Sequence, residues 1–461
     1  MNVRRFVSVF SVCVASLSAV GPVLAREPKL TADKHVLSNG LEVFLHEDHS
    51  LPTVSVNVYY HVGSKDESPG RSGFAHLFEH LMFQGSKHVP EDTFFKFLEE
   101  AGATGVNGTT NDDRTNYFET VPANRLNLAL WLESDRMGFL LDHVDQATLD
   151  SQRNVVKNER RQNYENAPYG LVYKYLREAL YPKGHPYHEL TIGTPEDLDR
   201  ATLDDVSGFF RAHYVPNNAT LVLAGDFEPT KALEMVSKYF APIPAGPKRE
   251  LPKAPATVVR SAPARLDVSS SAELERVQIA WTTPAFFKPG DAELDLVGTI
   301  LSNGKSSRLY KKFVYDAQIA QDVDAGQSSQ QYSSTFSMSA TAKPGKSLDE
   351  LHAGLLGELE RLGREGPTED ELRRAKISVL SSSLFRLERV GTRADMLNLY
   401  RHYTGDANFY THDRARYDQV DAAAIKAAAQ SLAASRAVSV YVHHDPKAPL
   451  AGRLEPARAT P

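Results

Sequence analysis

The chain has 461 residues, room for two to four domains with ample core, and its 41% hydrophobic and 24% charged content is that of an ordinary globular protein. A net charge of −6 with no basic run leaves no electrostatic case for nucleic acid or an anionic membrane surface as partner. The lone cysteine, Cys13, falls in a segment that reads as a signal rather than as part of the fold.

Arg4 and Arg5 precede an apolar run from Phe6 to about Val20, and Val23-Leu24-Ala25 supplies a small-residue cleavage site. Residues 1–25 are therefore expected to be a signal peptide. The run is interrupted by serine and lacks a full membrane span, and Arg-Arg-Phe lacks the spacing of a twin-arginine signal. The processed chain would be periplasmic or otherwise exported, with no membrane attachment. Having lost Cys13, it would use neither disulfides nor a cysteine nucleophile.

Beyond Arg26, Asn39-Gly40 between two apolar alternations predicts a β-hairpin, and Val54, Val56, Val58, Tyr60 and Val62 alternate as a third strand. That strand leads into Arg71-Ser-Gly-Phe-Ala-His-Leu-Phe-Glu-His-Leu-Met-Phe-Gln-Gly85. Phe74, Leu77, Phe78 and Leu81 recur at i, i+3, i+4, i+7, which predicts a helix with Ser72 as N-cap and Gly85 past its end. His76 and His80 are four apart, so both imidazoles project from one face, the separation needed to grip one metal ion. Glu79 lies close to that face, where it can hold a water bound to the metal. The pattern H-x-x-E-H is an inverted zincin motif and points to zinc-hydrolase chemistry. Burying two histidines and a carboxylate on so apolar a helix without a metal is costly.

A second helix is expected from about Glu91 to Glu100, closed by Gly102. Two strands follow, Gly105 to Thr110 and Thr115 to Val121, joined by the polar turn Asn111-Asp112-Asp113. Helices dominate from Ala123 to about Tyr181; one of them carries Gln152, Val156 and Glu159 on one face. A helix from Leu203 to Phe210, a buried strand ending at Asp226 and a helix from Lys231 to Tyr239 complete a first unit. A stretch rich in proline and alanine then separates it from a second series of strands and long helices. There, Val277 to Trp281, Phe336 to Ala342 and Ala437 to Val442 read as strands, and Leu348 to Leu362 and Glu369 to Tyr400 as helices. The recurrence suggests two similar α+β halves. The domain reading is residues 1–25 signal, 26–243 metal-bearing half, 244–264 linker and 265–461 second half. The second half has no H-x-x-E-H; its helix in the comparable place contains Asp295 to Leu301.

Four motifs in order give the chain a family resemblance. They are Gly73-Phe-Ala-His76-Leu-Phe-Glu79-His80, Asn107-Gly-Thr-Thr110 with Thr115-Asn-Tyr117, Arg153-Asn-Val-Val-Lys-Asn-Glu159, and Tyr214-Val-Pro-Asn-Asn218. Across nearly all of its processed length the sequence resembles the pitrilysin/insulinase family of zinc peptidases, in particular the short bacterial processing-protease type. The resemblance implies a fold of two homologous halves, each a mainly antiparallel sheet packed with helices, together forming half of a clamshell chamber. It implies one Zn2+ per chain on His76, His80 and Glu159, with Glu79 as the base that takes a proton from zinc-activated water. It also implies that Asn107, Gly108 and Thr109 form an edge strand to which an extended peptide adds by main-chain hydrogen bonds.

Two departures from the family pattern matter. Many relatives carry a glutamate seven residues before the ligand glutamate, where this chain has Gln152. Glutamine can support the ligands by hydrogen bonding but without charge. Active relatives also place an Arg and a Tyr seven apart after the Ser-Arg-Leu turn of the second half; here those places hold Val314 and Gln321. Arg308 and Tyr315 are also seven apart but out of register. The expectation is an exported zinc metalloendopeptidase acting on peptides or short unfolded chains. It would be completed by a homologous subunit without the zinc motif that donates Arg and Tyr, a self-sufficient homodimer being the rival. The alternative function is a catalytically weak scaffold or peptide-binding subunit. His185, His188, His443 and His444 are read as loop or surface residues.

Overall fold

A computed structural model describes residues 29–247, 255, 258 and 262–456. Residues 1–25, expected to be a signal peptide, and most of the expected 244–264 linker lie outside the described residues. In chain order the first part forms β1 (Asp33–Val36), β2 (Glu42–Glu47), β3 (Thr53–Tyr60), α1 (Phe74–Leu81), α2 (Phe94–Glu100), β4 (Thr104–Thr110) and β5 (Thr115–Pro122). It continues with α3 (Leu126–Phe139), α4 (Gln146–Arg160), α5 (Val172–Leu180), α6 (Pro195–Asp199), α7 (Leu203–His213), β6 (Ala219–Gly225) and α8 (Pro229–Phe240). The second part opens with β7 (Ala264–Ser270), β8 (Arg276–Thr283), α9 (Asp291–Ser302), β9 (Ala320–Ser328) and β10 (Ser334–Ala342). It closes with α10 (Leu348–Glu365), α11 (Glu369–Arg386), α12 (Val390–Thr404), α13 (Tyr410–Gln419), α14 (Ala422–Ala434), β11 (Val438–His444) and β12 (Arg453–Leu454).

The two parts share the topology of five strands and differ in the sixth, which is supplied by the start of the first part (β1) and by the end of the second (β12). The first six-stranded sheet has the order β1-β2-β6-β3-β5-β4, the second β12-β7-β11-β8-β10-β9. In each, one parallel pair (β2 with β6, β7 with β11) is embedded among antiparallel neighbours. The expected hairpin at Asn39-Gly40 is present, and the Asn39 amide donates to the carbonyls of Phe240 and Ile243 at 2.8 and 2.9 Å, tying the turn to the end of α8.

Each sheet is covered on one face by helices of its own part and on the other by a helix from the opposite part. α12 lies on β3 and β6 of the first sheet, and α5 lies on β8 and β11 of the second. Leu397, Ala394 and Tyr400 of α12 bury against Phe44, Val222 and Ala224, while Val172, Leu176 and Leu180 of α5 bury against Val268, Val440 and Val442. β3 is consequently buried on both faces rather than one, Ser55 and Asn57 included. Asn398 of α12 donates to the Asn57 carbonyl at 3.0 Å, so the polar residues of the strand find partners without water.

Local differences from the sequence reading have physical causes. The helix expected from 369 to 400 is two, broken between Arg386 and Val390 where the chain turns from one half towards the other. Ser72 is not the cap of α1; the cap position is Gly73, with φ at +91°, and Ser72 instead donates its hydroxyl to Asp197 at 2.7 Å. The open N–H groups of α1 are met by Glu67, which accepts from Gly73 and Ala75 at 3.0 and 2.8 Å.

Candidate metal centre

The apolar stripe of α1 drives its placement: Phe74, Leu77, Phe78 and Leu81 are fully buried in the first core, which turns His76, Glu79 and His80 away from the core towards α4 and the edge strand β4. α4 is capped by Asp145, whose carboxylate accepts from the Thr148 N–H at 2.8 Å, and buries Leu149, Gln152 and Val156. With those residues inward, Glu159 in the last turn projects at α1. Its Oε2 lies 3.5 Å from His76 Nε2 and 3.3 Å from His80 Nε2. The two imidazole centres are 4.9 Å apart with the rings nearly perpendicular.

His76, His80 and Glu159 are the group among the described residues whose ligand atoms converge, all within 4.8 Å of one another. Donor atoms about 2.0–2.1 Å from a tetrahedral ion stand roughly 3.4 Å from each other, so these histidine–carboxylate separations suit one small cation. The donor set suits it too. Burial pushes the His76 ring down to about 4, and a neutral imidazole is the form that ligates. The hydrogen bond from His80 holds the Glu159 carboxyl below its ordinary range, so it is ionised. Asn163, in the π-helical turn 161–165, donates to the other Glu159 oxygen at 3.3 Å. Three donors fit a divalent metal and leave an open position.

Glu79 sits between the histidines and β4. Burial raises its carboxyl above the ordinary value, opposed by the charges of His80 and Arg114. A Cβ added at Gly108 would come 3.1 Å from Glu79 Cγ, 3.0 Å from Phe83 and 3.2 Å from Tyr117, so the backbone of the edge strand passes close against the Glu79 side chain. Asn107, Gly108 and Thr109 pair with Phe118, Tyr117 and Asn116 of β5, leaving the other edge of β4 unpaired. Gln152 is buried two turns before Glu159.

Residue patterns alone did not single out several neighbours. Arg114 donates to the Thr109 carbonyl at 2.8 Å, and its guanidinium lies over the Tyr59 ring at 5.4 Å. Glu67 closes the N-terminus of the histidine helix, a role with no short-range signal because it loops back from outside. In the second half, Val314 is partly buried against the core and Gln321 is exposed. Arg308 is engaged on both Glu371 oxygens at 2.8 and 2.7 Å, while Tyr315 is 71% exposed. The remaining histidines do not join the trio. His185 stacks on Tyr181, His188 bonds the Tyr181 carbonyl, and His443 and His444 bond Asp267 and the Ala272 carbonyl.

The family described as Insulinase (Peptidase family M16) matches residues 42–192, and Peptidase M16 inactive domain matches residues 200–379. The chain belongs to the pitrilysin/insulinase family of zinc peptidases. Within this family it is 29% identical over 405 residues to zinc protease PqqE of Helicobacter pylori, covering 87% of this chain and 89% of that one. The crystal structure of a protease from Helicobacter pylori superposes with a TM-score of 0.84 at 26% identity, over 90% of this chain and 100% of the other. The periplasmic protease PqqL from Escherichia coli shares the fold at a TM-score of 0.74 and 18% identity. There, 90% of this chain corresponds to 48% of the longer protein. The insulinase match contains His76, His80, Glu79 and Glu159, and the inactive-domain match covers α9 and β9, where no ligand set converges.

Proposed function

We propose that this chain is a zinc-dependent endopeptidase, exported after removal of residues 1–25, that cleaves peptides or short unfolded chains and is completed by a second, homologous subunit. The observation that carries the reading is the convergence of His76, His80 and Glu159 beside Glu79 and an open sheet edge. Zinc held by these three residues supplies a Lewis acid that makes water a nucleophile near neutral pH and polarises a carbonyl oxygen.

The chain's own groups do the rest. An extended peptide adds to the free edge of β4 alongside Asn107, Gly108 and Thr109, held by main-chain hydrogen bonds that ask little of its side chains. Gly108 leaves the passing backbone close to Glu79, which places a scissile bond within reach of that carboxylate. Glu79 accepts a proton from the attacking water and returns it to the leaving amine. Gln152 supports the ligand helix from its buried side without adding charge.

The partner reading rests on what is missing. Val314 and Gln321 stand where active relatives are expected to carry Arg and Tyr, and Arg308 is committed to Glu371. A chain matching half of a longer family member is suited to pairing with a second half. Hydrolysis of an internally quenched peptide by the purified chain, alone and with a homologous chain lacking H-x-x-E-H, tests this. Activity should need the pair and vanish on chelation. Full activity from this chain alone removes the heterodimer and leaves the homodimer. No activity in either preparation, with zinc bound, favours the scaffold reading.

A further inference from the structure

The turn between β4 and β5 is held from the other half of the molecule. Two adjacent carboxylates at its tip, Asp112 and Asp113, are 6% and 1% exposed, and both are saturated with donors. Asp112 accepts from both terminal nitrogens of Arg177 on α5, at 3.0 and 2.5 Å, from Ser64 at 3.2 Å and from the Gln330 amide at 2.5 Å. Asp113 accepts from the Tyr187 hydroxyl at 2.6 Å, the Tyr403 hydroxyl at 2.9 Å and the Gln331 N–H at 2.9 Å. Gln330 and Gln331 belong to the β9–β10 loop, and Tyr403 belongs to α12, both in the half without the metal trio. On the near side, Lys65 donates its ammonium to the Asp113 carbonyl and its N–H to the Asp112 carbonyl, each at 2.9 Å. A Cβ at Gly63 would lie 2.4 Å from the Asp112 carbonyl oxygen, so this close approach requires glycine.

A second line joins the same two places. Asp395 of α12 accepts from Tyr59 at 2.7 Å; the ring of Tyr59 lies under the Arg114 guanidinium; and Arg114 holds the Thr109 carbonyl. Both lines therefore end on β4, one at its turn and one at Thr109, beside Glu79. The carboxylate oxygens of Asp112 and Asp113 are all engaged, and interaction energies within such buried polar networks are strongly coupled.

We propose that Tyr403 and Gln330, through Asp113 and Asp112, are positioning residues for hydrolysis: the half without metal ligands sets where the edge strand, and hence the scissile bond, stands relative to Glu79. This rests on the peptidase reading above. Misplacement of reacting groups by about 1 Å can cost on the order of 100-fold in rate, so loss of one strut should be read in turnover rather than in affinity.

The test compares wild type with Tyr403→Phe and Gln330→Ala in the full chain, paired with its partner if activity requires one. Amide hydrogen exchange across 104–122, with β3 as internal control, should quicken by about threefold or more in each variant. On a quenched peptide, kcat should fall by about tenfold while KM stays within about twofold, with zinc content and thermal midpoint little changed. Unchanged exchange in the hairpin overturns the inference whether or not the protein is active. Faster exchange with unchanged kcat in an active enzyme also overturns it, and so does a kcat loss explained wholly by lost zinc. A wild type that binds zinc but cleaves nothing defeats the peptidase reading instead, and the positioning of β4 is then judged by exchange alone. Asp113→Asn is the harsher variant; should it fail to fold, Tyr403→Phe, which removes one hydroxyl, keeps the test decisive.

Discussion

The two halves share a sheet order and differ in what their equivalent helices do with buried polar groups. α1 and α9 occupy corresponding places, each after the strand at position four of its sheet and before the edge hairpin. On α9, Asp291 is paired with Arg416 at 2.8 Å and Asp295 with the Tyr417 hydroxyl at 2.7 Å. Every such carboxylate has a protein partner of its own. On α1 the polar side chains point instead at one another and at Glu159, and the buried Nδ1 of His76 has no hydrogen-bond partner. α9 has its buried carboxylates paired within the protein; α1, with Glu159, presents a convergent set of donor atoms suited to an ion. The same fold thus becomes a framework or a site according to whether its polar atoms are already paired.

The comparison can be broken most sharply at Glu159. Glu159→Ala should weaken zinc binding by more than the roughly 10–100-fold typical of groups that only support ligands, measured by competition with a chromophoric chelator. A control change in the second half, Ser378→Ala on α11, where Ser378 accepts from the Asn303 amide at 2.8 Å, should leave zinc affinity untouched. Retention of zinc by the Glu159 variant would end the metal-site reading.

Next in size is Glu79→Gln. Turnover should fall by roughly 10²–10⁴, the range for removing a general acid–base group, with zinc content unchanged. Turnover within a few-fold of wild type would point to another base.

A smaller contrast lies on the two edge strands. Gly108→Val should lower kcat/KM by about tenfold, since overpacking of this kind costs about 1–3 kcal/mol and here presses on Glu79, Phe83 and Tyr117. Gly326 on β9 has nothing within 4 Å of a built Cβ, and Gly326→Val should change stability by less than about 0.5 kcal/mol.

The last contrast is a pH dependence of stability in the second half. Burial raises the Asp295 carboxyl to about 7, with the Tyr417 hydrogen bond and Arg416 opposing and Asp291 and Asp413 adding to the shift. A raised acid binds its proton more tightly in the folded state, so its contribution is complete below the unfolded value near 4 and is lost as pH rises towards 7. Asp295→Asn should flatten the fall in thermal midpoint between pH 4 and 7. An identical slope in the variant would show that Asp295 does not titrate there.

Much of this was legible in the residues because it is local. The period of Phe74, Leu77, Phe78 and Leu81 places His76 and His80 on one face, and the alternations around Asn39-Gly40 lay down the first hairpin. The repeat of strands and helices announced two halves for the same reason. Glu159 was found by its motif context, since 78 residues separate it from His80 and no periodicity spans that distance. Ser72 carries the short-range signal of a cap, but a carboxylate distant in sequence, Asp197, takes its hydroxyl.

The sequence by itself determined which helix could carry a metal, which half could not, and where the strands of the first sheet and strands β8, β10 and β11 of the second lie, because hydrophobic period and side-chain chemistry are properties of neighbouring residues; β7, β9 and β12 emerge only in the structure. Only the tertiary structure decided that each sheet is roofed by the other half's helix, that Ser55 and Asn57 are buried, and that Asp112 and Asp113 are gripped from 48 to 290 residues away. A carboxylate in a turn has the same sequence signature whether water or a distant tyrosine satisfies it; the difference appears only when packing removes the water and a partner must arrive from elsewhere in the chain.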